Sequence, residues 1–142
     1  MNAQNINAQD ILARTMYGEA RGEFKTVGIQ AFEAIGHVVI NRLNQQTWFG
    51  KTIEEVCLKP NQFSCWNSTD PNHPIISNSS LDNALFQVCQ KAAQNILTEK
   101  LMDITRGADH YHTHLCFPFW SKGQKPTCVI GNHLFFNLRK KR

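Results

Sequence analysis

The residues best suited to chemistry lie near the N-terminus, in the segment Tyr17–Glu23, which reads Tyr-Gly-Glu-Ala-Arg-Gly-Glu. Apolar residues precede and join this segment at helical spacing, which predicts that Glu19 lies in the last turn of a helix beside an apolar stripe. The stripe consists of Ile11, Leu12, Met16 and Ala20. A partly sheltered carboxyl group at a helix end is suited to general acid catalysis. The alternative interpretation is a solvated helix terminus without a catalytic role.

Two glycines and an arginine surround this carboxyl group. Gly18 costs about 1 kcal/mol relative to alanine inside a helix, which predicts that another segment approaches the backbone there. Gly22 is predicted to end the helix as its C-cap. Arg21 is predicted to have a structural role in holding the motif or a loop. Its alternative is an exposed ion pair with Glu23, which would contribute less than about 1 kcal/mol.

A second set of polar groups lies in residues 60–78, which are rich in Pro, Asn and Ser and predict a long loop. A loop of this length inside a compact domain is usually functional. It carries an amide, a hydroxyl and an aromatic plane in Gln62, Ser64 and Trp66, which are the groups that proteins combine to bind sugars. The alternative for Trp66 is an anchor that fastens the loop to the core.

Three histidines alternate along a predicted strand over residues 109–117, at His110, His112 and His114. They would share one face with Cys116, and imidazole with thiolate suits zinc. Side chains two residues apart are about 7 Å apart along a strand, however, and structural zinc sites usually pair their ligands across a turn. We therefore expect no metal and no cofactor.

The periodicity of the chain predicts an α+β fold that is mainly helical and has a small C-terminal β element. Helices are predicted over residues 8–21, 26–45, 53–59 and 80–98, and strands over 109–117 and in a hairpin over 127–137 about a Gly-Asn turn. Thr52 with Glu55 would cap the short third helix, and Ser79 or Ser80 the fourth. A chain of 142 residues has room for one domain, which we assign to residues 1–142.

Charge and hydropathy restrict the partners. The net charge is +4, and basic residues are concentrated in Arg139–Arg142. This segment is either a frayed basic tail or a means of attraction to anionic wall polymers or lipopolysaccharide. No basic helix or aromatic platform favours nucleic acid. No apolar run approaches the roughly 20 residues of a membrane span, and the N-terminus lacks the features of a secretory signal. We expect cytoplasmic synthesis and no stable membrane insertion.

The chain has five cysteines, so at least one is unpaired in a monomer. Cys89 lies on the apolar stripe of a predicted helix and is expected to be a buried thiol. Pairs between Cys57 and Cys65 and between Cys116 and Cys128 are compatible with the spacing. Without a secretory signal, reduced thiols are favoured during synthesis.

Several motifs occur together and in order along the chain. They are Tyr17–Glu23, Gly28-Ile29-Gln30-Ala31, Val38–Leu43, Thr52-Ile53, Gln62–Trp66, Gly107–Tyr111 and Ile130–Phe136. From about residue 10 to residue 137 this arrangement resembles the SleB-type cell-wall hydrolases, the family of the spore cortex-lytic enzymes. The resemblance implies a lysozyme-like fold and peptidoglycan as the substrate.

The resemblance also implies a reaction. It suggests a lytic transglycosylase that cleaves the bond between N-acetylmuramic acid and N-acetylglucosamine, with Glu19 as general acid and then base. The loop of Gln62, Ser64 and Trp66 would line the cleft opposite Glu19, and His110 with Tyr111 would lie beside it. Asp109 stands where the family usually has Thr, and it adds a possible second carboxylate.

Three alternatives to this interpretation stay open. A true muramidase would use Asp109 or Glu23 to position water. A wall-binding module would have an inactive cleft, although the presence of Glu19 argues against it. A metal- or nucleic-acid-binding protein would use the histidine-rich strand and the basic tail, although the match of motifs argues against it. The size, the lack of a signal and the lack of a separate wall-binding module favour a phage or prophage endolysin that a pore releases to the wall, and we expect a monomer.

Overall fold

The structure is a computed structural model that describes residues 3–139, with side chains from residue 7 onward. The described part is mainly helical and carries one small three-stranded sheet near its C-terminus, as the sequence predicts. The helices are α1 (Ala3–Ala20), α2 (Phe24–Val27), α3 (Gln30–Gln45), α4 (Ile53–Leu58), α5 (His73–Ile76) and α6 (Ala84–Leu97), and the strands are β1 (His110–Thr113), β2 (Cys128–Ile130) and β3 (His133–Phe136).

Helix α1 lies at the centre of the core and packs against α3 and α6. Its predicted stripe is buried, since Leu12 and Met16 are inaccessible to solvent and Ala20 nearly so. On the side of α3 that faces α1, the side chains of Phe32, Ile35 and Val39 are fully buried. The helical spacing of apolar residues therefore predicts the packed faces correctly, because side chains three and four apart lie on one side of a helix.

The end of α1 differs from the prediction. The helix ends at Ala20, and a 3-10 turn over Arg21–Glu23 leads directly into α2. Gly22 is therefore not a C-cap. Gly28 ends α2 instead, with a positive φ of 69° and an N–H bond to the Phe24 carbonyl. The helix predicted over 26–45 is divided at this glycine, because a left-handed residue cannot continue a right-handed helix.

The capping prediction holds for Thr52 in α4, although the Glu55 side chain accepts from the Lys51 N–H rather than from Thr52, and it fails for α6. The Thr52 hydroxyl accepts a hydrogen bond from the Glu55 N–H at 3.1 Å. Helix α6 begins at Ala84 and its cap is Asn83, whose side-chain oxygen accepts from the Phe86 N–H at 2.8 Å. The prediction of Ser79 or Ser80 as the cap is wrong. An N-cap residue has an extended backbone and accepts from the N–H three residues later, and Asn83 meets both conditions at the observed start of the helix.

The sheet is antiparallel in the order β1-β3-β2. The hairpin between β2 and β3 turns at Gly131 and Asn132, as predicted. Strand β1 is shorter than the predicted 109–117, because β3 offers it no partner beyond the pair of Thr113 with His133. His114 therefore lies past the end of the strand, and the three histidines do not form one continuous row.

All five cysteines are free thiols, so the two suggested disulfides do not form. Cys89 is buried on α6, as expected. Cys57 and Cys65 are also buried, and burial raises the pKa of the Cys57 thiol to about 12. Among residues 3–139, no helix has the length and hydropathy required to cross a membrane. Of the basic segment Arg139–Arg142, only Arg139 lies within the described residues.

Candidate active site

Glu19 lies at the end of α1, where the segment after α4 crosses the helix. A Cβ atom on Gly18 would lie 2.7 Å from the Cβ atom of Cys65 and 2.8 Å from its sulfur. No side chain fits at such a distance, so the crossing requires glycine. The prediction that another segment approaches the backbone at Gly18 is confirmed.

The carboxyl group of Glu19 receives hydrogen bonds from two directions. The Cys65 N–H donates to Oε2 at 3.0 Å, and the Ser64 hydroxyl donates to the same oxygen at 3.3 Å. The Tyr111 hydroxyl, from β1, donates to Oε1. The side chain is half-buried, so these donors orient the carboxyl group and leave part of it open to a ligand. The loop thus lies directly against Glu19 rather than across a cleft from it.

Tyr111 is held in its protonated form. Burial raises the pKa of its hydroxyl well above the usual value, and the nearby charge of Glu19 raises it further. Phe63 and Phe135 lie beside its ring, with centroids at 6.4 and 5.7 Å. The phenol therefore serves as a hydrogen-bond donor to Glu19 and not as a base.

Trp66 and Arg21 hold the loop on α1. The Trp66 indole N–H donates to the buried Thr15 hydroxyl at 2.9 Å, so the anchoring interpretation of this tryptophan describes its contacts. The Arg21 guanidinium donates to the Asn72 side chain at 2.6 Å and lies 5.2 Å from the centre of the Tyr17 ring. Arg21 therefore binds the loop, which is the structural role predicted for it.

Gln62 lies on a buried arginine rather than on Glu19. Its side-chain oxygen accepts from Arg42 at 3.4 Å, and the same guanidinium donates to the Asp109 carbonyl at 2.8 Å. The guanidinium carbon of Arg42 also lies 4.5 Å from the Phe49 ring centre and 5.0 Å from that of Phe63. Arg42 thus joins α3, the loop and the start of β1 behind the Glu19 site.

His110 faces away from Glu19, because neighbouring residues of a strand point to opposite sides of a sheet. Its ring lies 4.8 Å from that of Trp120 and 5.8 Å from that of Phe49. It lines a groove of about 470 Å³ together with Trp48 and Asp109. The structure therefore brings Ser64 and Tyr111 to Glu19 and places His110 in a different groove. That Ser64, Tyr111 or His110 binds substrate stays a prediction.

The carboxyl group of Asp109 is fully engaged in structural contacts. Oδ1 accepts from the Leu138 N–H at 2.9 Å and pairs with His110 at 2.8 Å, while Oδ2 accepts from Gln45 at 2.8 Å. Burial acts to raise the pKa of this carboxyl group, but the hydrogen bonds from His110, Leu138 and Gln45 outweigh it and the pKa is lowered. Asp109 is thus an ionised carboxylate that joins β1 to α3 and to the residues after β3.

His133 is absent from the candidate site residues that the sequence suggested, and Glu23 was considered there only as a second carboxylate. The buried His133 on β3 contacts Tyr111 edge to face at 5.3 Å. Burial lowers the pKa of His133, while the carboxylates of Glu23 and Glu19 act in the opposite direction. His133 lies two residues before the buried Phe135, and this strand spacing could have indicated that the two side chains share the buried face.

Glu23 reaches the hairpin from the 3-10 turn that follows α1. A Cβ atom on Gly131 would lie 2.8 Å from Oε2 of Glu23, so the carboxyl group rests against the turn between β2 and β3. The charges of both Glu23 and Glu19 act on His133, so the two carboxyl groups lie around the same histidine. Only the tertiary structure provides this placement, since Glu23 and Gly131 are far apart in the sequence.

The histidine-rich strand provides no cluster of ligands. Over residues 3–139, no three His, Cys, Asp or Glu side chains converge as a metal site requires. The His112 ring bonds the Thr113 carbonyl at 2.7 Å and stacks on Phe136, and His114 is exposed. The chemistry available at Glu19 is therefore proton transfer by a carboxyl group between hydrogen-bond donors.

Comparison with known proteins assigns the family. A family described as "Cell Wall Hydrolase" matches residues 28–136, a region that begins after Glu19. The catalytic domain of the Bacillus cereus SleB protein is similar in fold, with 22% identity and a TM-score of 0.74, over 96% of this chain and 94% of that one.

A second solved structure is similar to the same degree. It is the catalytic domain of a germination-specific lytic transglycosylase, SleB, from Bacillus anthracis, with 22% identity and a TM-score of 0.73, over 96% of this chain and 99% of that one. No curated protein matches. The fold is therefore lysozyme-like, as predicted, and the chain belongs to the cell wall hydrolase family.

Proposed function

We propose that this chain is a peptidoglycan lytic transglycosylase in which Glu19 acts first as general acid and then as general base. The observation that carries the proposal is the half-buried Glu19 carboxyl group, oriented by Ser64, the Cys65 N–H and Tyr111 at one end of a core helix. Membership of the cell wall hydrolase family supports the substrate class. The similarity in fold to the Bacillus anthracis protein, a lytic transglycosylase, supports the reaction type.

The reaction needs one carboxyl group and no other reactant. Glu19 donates its proton to the oxygen that links C1 of N-acetylmuramic acid to N-acetylglucosamine, and this C1–O bond breaks. The C6 hydroxyl of the muramic residue then bonds to C1 and returns its proton to Glu19. A 1,6-anhydro ring is formed, the charge balance is unchanged, and Glu19 is regenerated for the next cycle.

The neighbours of Glu19 divide the remaining work. Tyr111, which keeps its proton, and the Cys65 N–H hold the carboxyl group in one orientation. The longer Ser64 bond, at 3.3 Å, is the contact that a substrate hydroxyl or amide can most readily replace. The pKa of the Cys65 thiol is raised by burial and by the charge of Glu19, so this cysteine is not a nucleophile at neutral pH.

A true muramidase is the second candidate, and the position of Glu23 favours it over a version that uses Asp109. The charge of Glu23, like that of Glu19, acts on His133, and a muramidase needs such a second carboxylate to position a water molecule. Asp109 is bonded by Gln45, His110 and the Leu138 N–H instead.

Mass spectrometry of the products separates the two reactions. Purified peptidoglycan is digested with the enzyme, and the muropeptides are measured without chemical reduction. A transglycosylase yields anhydro products that are one water lighter than the reducing products of a hydrolase. Reducing products that disappear in Glu23→Gln and persist in Asp109→Asn would replace the transglycosylase with a muramidase that uses Glu23. A total absence of cleavage would leave only the wall-binding module.

Origin from a phage and release through a pore stay predictions. If they hold, expression of the chain alone leaves bacterial cells intact, because the enzyme does not reach the wall. Permeabilisation of the inner membrane should then cause rapid lysis, measured as loss of turbidity, and Glu19→Gln serves as the inactive control. Lysis without permeabilisation would show that another export route exists.

A further inference from the structure

An exposed apolar loop lies between β1 and β2, far along the chain from Glu19. We define the 114–124 loop as the segment from His114 to Gln124. Three of its large apolar side chains are almost completely exposed: Leu115 at 84%, Phe117 at 78% and Phe119 at 92%. Single exposed apolar residues are ordinary, but three within five residues form a patch that usually marks an interaction surface.

The loop has a defined conformation. A 3-10 turn spans Phe119–Ser121, the Ser121 N–H and hydroxyl both donate to the Pro118 carbonyl, and the Lys122 N–H donates to the Phe119 carbonyl. Trp120 points inward, with its ring 5.3 Å from that of Phe136 and 5.7 Å from that of His112. The inward tryptophan fixes the base of the loop, and Phe117 and Phe119, which precede it, are exposed to solvent.

The charged residues of the segment that contains the loop are all basic. Residues 110–142 contain six Lys and Arg and no Asp or Glu, whereas residues 1–109 contain nine basic and eleven acidic residues. Within the described part, Lys122, Lys125 and Arg139 are exposed in this region. A basic surface of this kind attracts anionic partners over about a Debye length.

We propose that the 114–124 loop docks this enzyme peripherally on the surface of an anionic phospholipid bilayer. Leu115, Phe117 and Phe119 would enter the interfacial region, and Lys122 with Lys125 would pair with the lipid phosphates. Peripheral proteins bind membranes with this combination of buried apolar area and attraction to anionic headgroups. Docking at the bilayer would hold the enzyme close to the adjacent cell wall. The proposal does not depend on the reaction at Glu19.

A glycan is a less suitable partner for this surface. Sugar sites combine an aromatic plane with amides and hydroxyls, but the three exposed side chains here are purely apolar and Leu115 has no ring. The groove at Trp48 offers a useful contrast. Trp48 is 61% exposed and has Lys59 5.3 Å from its ring centre, but Glu54 and Glu55 line the same groove. Lys51 and Lys59 line that groove as well, so its charges balance and it offers an anionic bilayer no net attraction.

Vesicle co-sedimentation of the full chain tests the proposal. The vesicles contain either phosphatidylglycerol with phosphatidylcholine or phosphatidylcholine alone, and purified peptidoglycan free of lipid forms a third arm. The F117S/F119S double variant should lower the partition coefficient on anionic vesicles by about tenfold or more, and K122Q/K125Q by a smaller factor that vanishes in high salt. The W48S variant is the matched control and should bind vesicles like the unaltered chain.

Each outcome decides for or against the proposal. Preferential binding to anionic vesicles that requires the two phenylalanines supports it. Absence of vesicle binding, equal loss in W48S, or loss of binding to peptidoglycan alone in F117S/F119S would overturn it, the last in favour of a glycan partner. The substituted side chains are exposed, and circular dichroism checks that the fold is retained. Should the double variant fail to fold, Leu115→Ser provides the same test.

Discussion

The two faces of the small sheet serve different parts of the molecule. One face presents Tyr111 and His133 to the carboxyl group at the end of α1. The other face presents His110 and His112 to Trp120, which supports the exposed 114–124 loop. The two faces thus belong to two surfaces: the inner face helps to build the candidate active site, and the outer face supports the proposed membrane contact.

Residues that are adjacent in a motif need not lie in the same site. His110 and Tyr111 are consecutive and belong to one motif of the family resemblance, yet the pleat of β1 sends them to opposite sides. The same comparison separates two carboxylates. Glu19 is half-buried and open to a ligand, whereas Asp109 is buried and has structural partners on both oxygens.

The largest effect should come from Glu19. Glu19→Gln keeps the shape of the side chain and removes the transferable proton, so we expect the rate of turbidity loss of wall suspensions to fall by at least about 100-fold. The free energy of unfolding should stay close to that of the unaltered chain. Glu99→Gln, which alters an exposed carboxylate beyond α6, is the matched control. Activity of the Gln variant near the normal level would remove Glu19 from the mechanism.

Tyr111 and His110 give the sharpest test of the difference between the two faces. Tyr111→Phe deletes a donor to the Glu19 carboxyl group, and we expect kcat to fall by about 10- to 100-fold because the hydrogen bond that orients this group is lost. His110→Gln, one residue earlier, should change kcat by less than about threefold, since its side chain lies on the other face. Steady-state kinetics on soluble glycan fragments measures both. A larger effect at His110 would reverse the assignment of the two faces.

Asp109 should affect stability more than activity. In Asp109→Asn an amide NH₂ would face a donor, Gln45 or the Leu138 N–H, so the free energy of unfolding at neutral pH should fall by about 1–3 kcal/mol. The folded state lowers the pKa of this carboxyl group, so its stabilising contribution is present at neutral pH and is lost as the pH falls through the folded pKa.

Urea unfolding at pH 7 and at pH 3 measures this dependence. The difference in stability between the unaltered chain and Asp109→Asn should become smaller below about pH 4, because protonation removes the same charge that the substitution removes. Activity at pH 7 should stay within about tenfold. A difference in stability that is independent of pH would show that the lost contacts, and not the charge, account for the effect.

The smallest expected effect is that of metal removal. Proton transfer by one carboxyl group needs no metal, so activity should survive exhaustive chelation with EDTA followed by dialysis. The measurement is the rate of turbidity loss before and after treatment, and after addition of zinc. Activity that is lost on chelation and restored by zinc would indicate a metal site that includes one or more of His110, His112 and His114.

Local patterns predicted much of the fold. The spacing of apolar residues identified the buried faces of α1 and α3, and the Thr52 cap and the Gly-Asn turn were predicted correctly. The ends of elements were predicted less well. Gly22 does not cap the first helix and Gly28 ends α2, while α6 is capped by Asn83 and not by Ser79 or Ser80. Ends depend on which backbone groups find partners, and several residues of one segment can satisfy such a group.

The sequence by itself determined the fold class, the family resemblance and Glu19 as the candidate acid, because these depend on periodicity and on the order of motifs. Only the tertiary structure decided which groups surround that acid. The Cys65 N–H, Tyr111, His133 and Glu23 come from separate segments, and they meet because the loop crosses α1 at Gly18 and the hairpin turn packs against Glu23. Such contacts depend on how the elements pack in three dimensions, and no local pattern of residues encodes them.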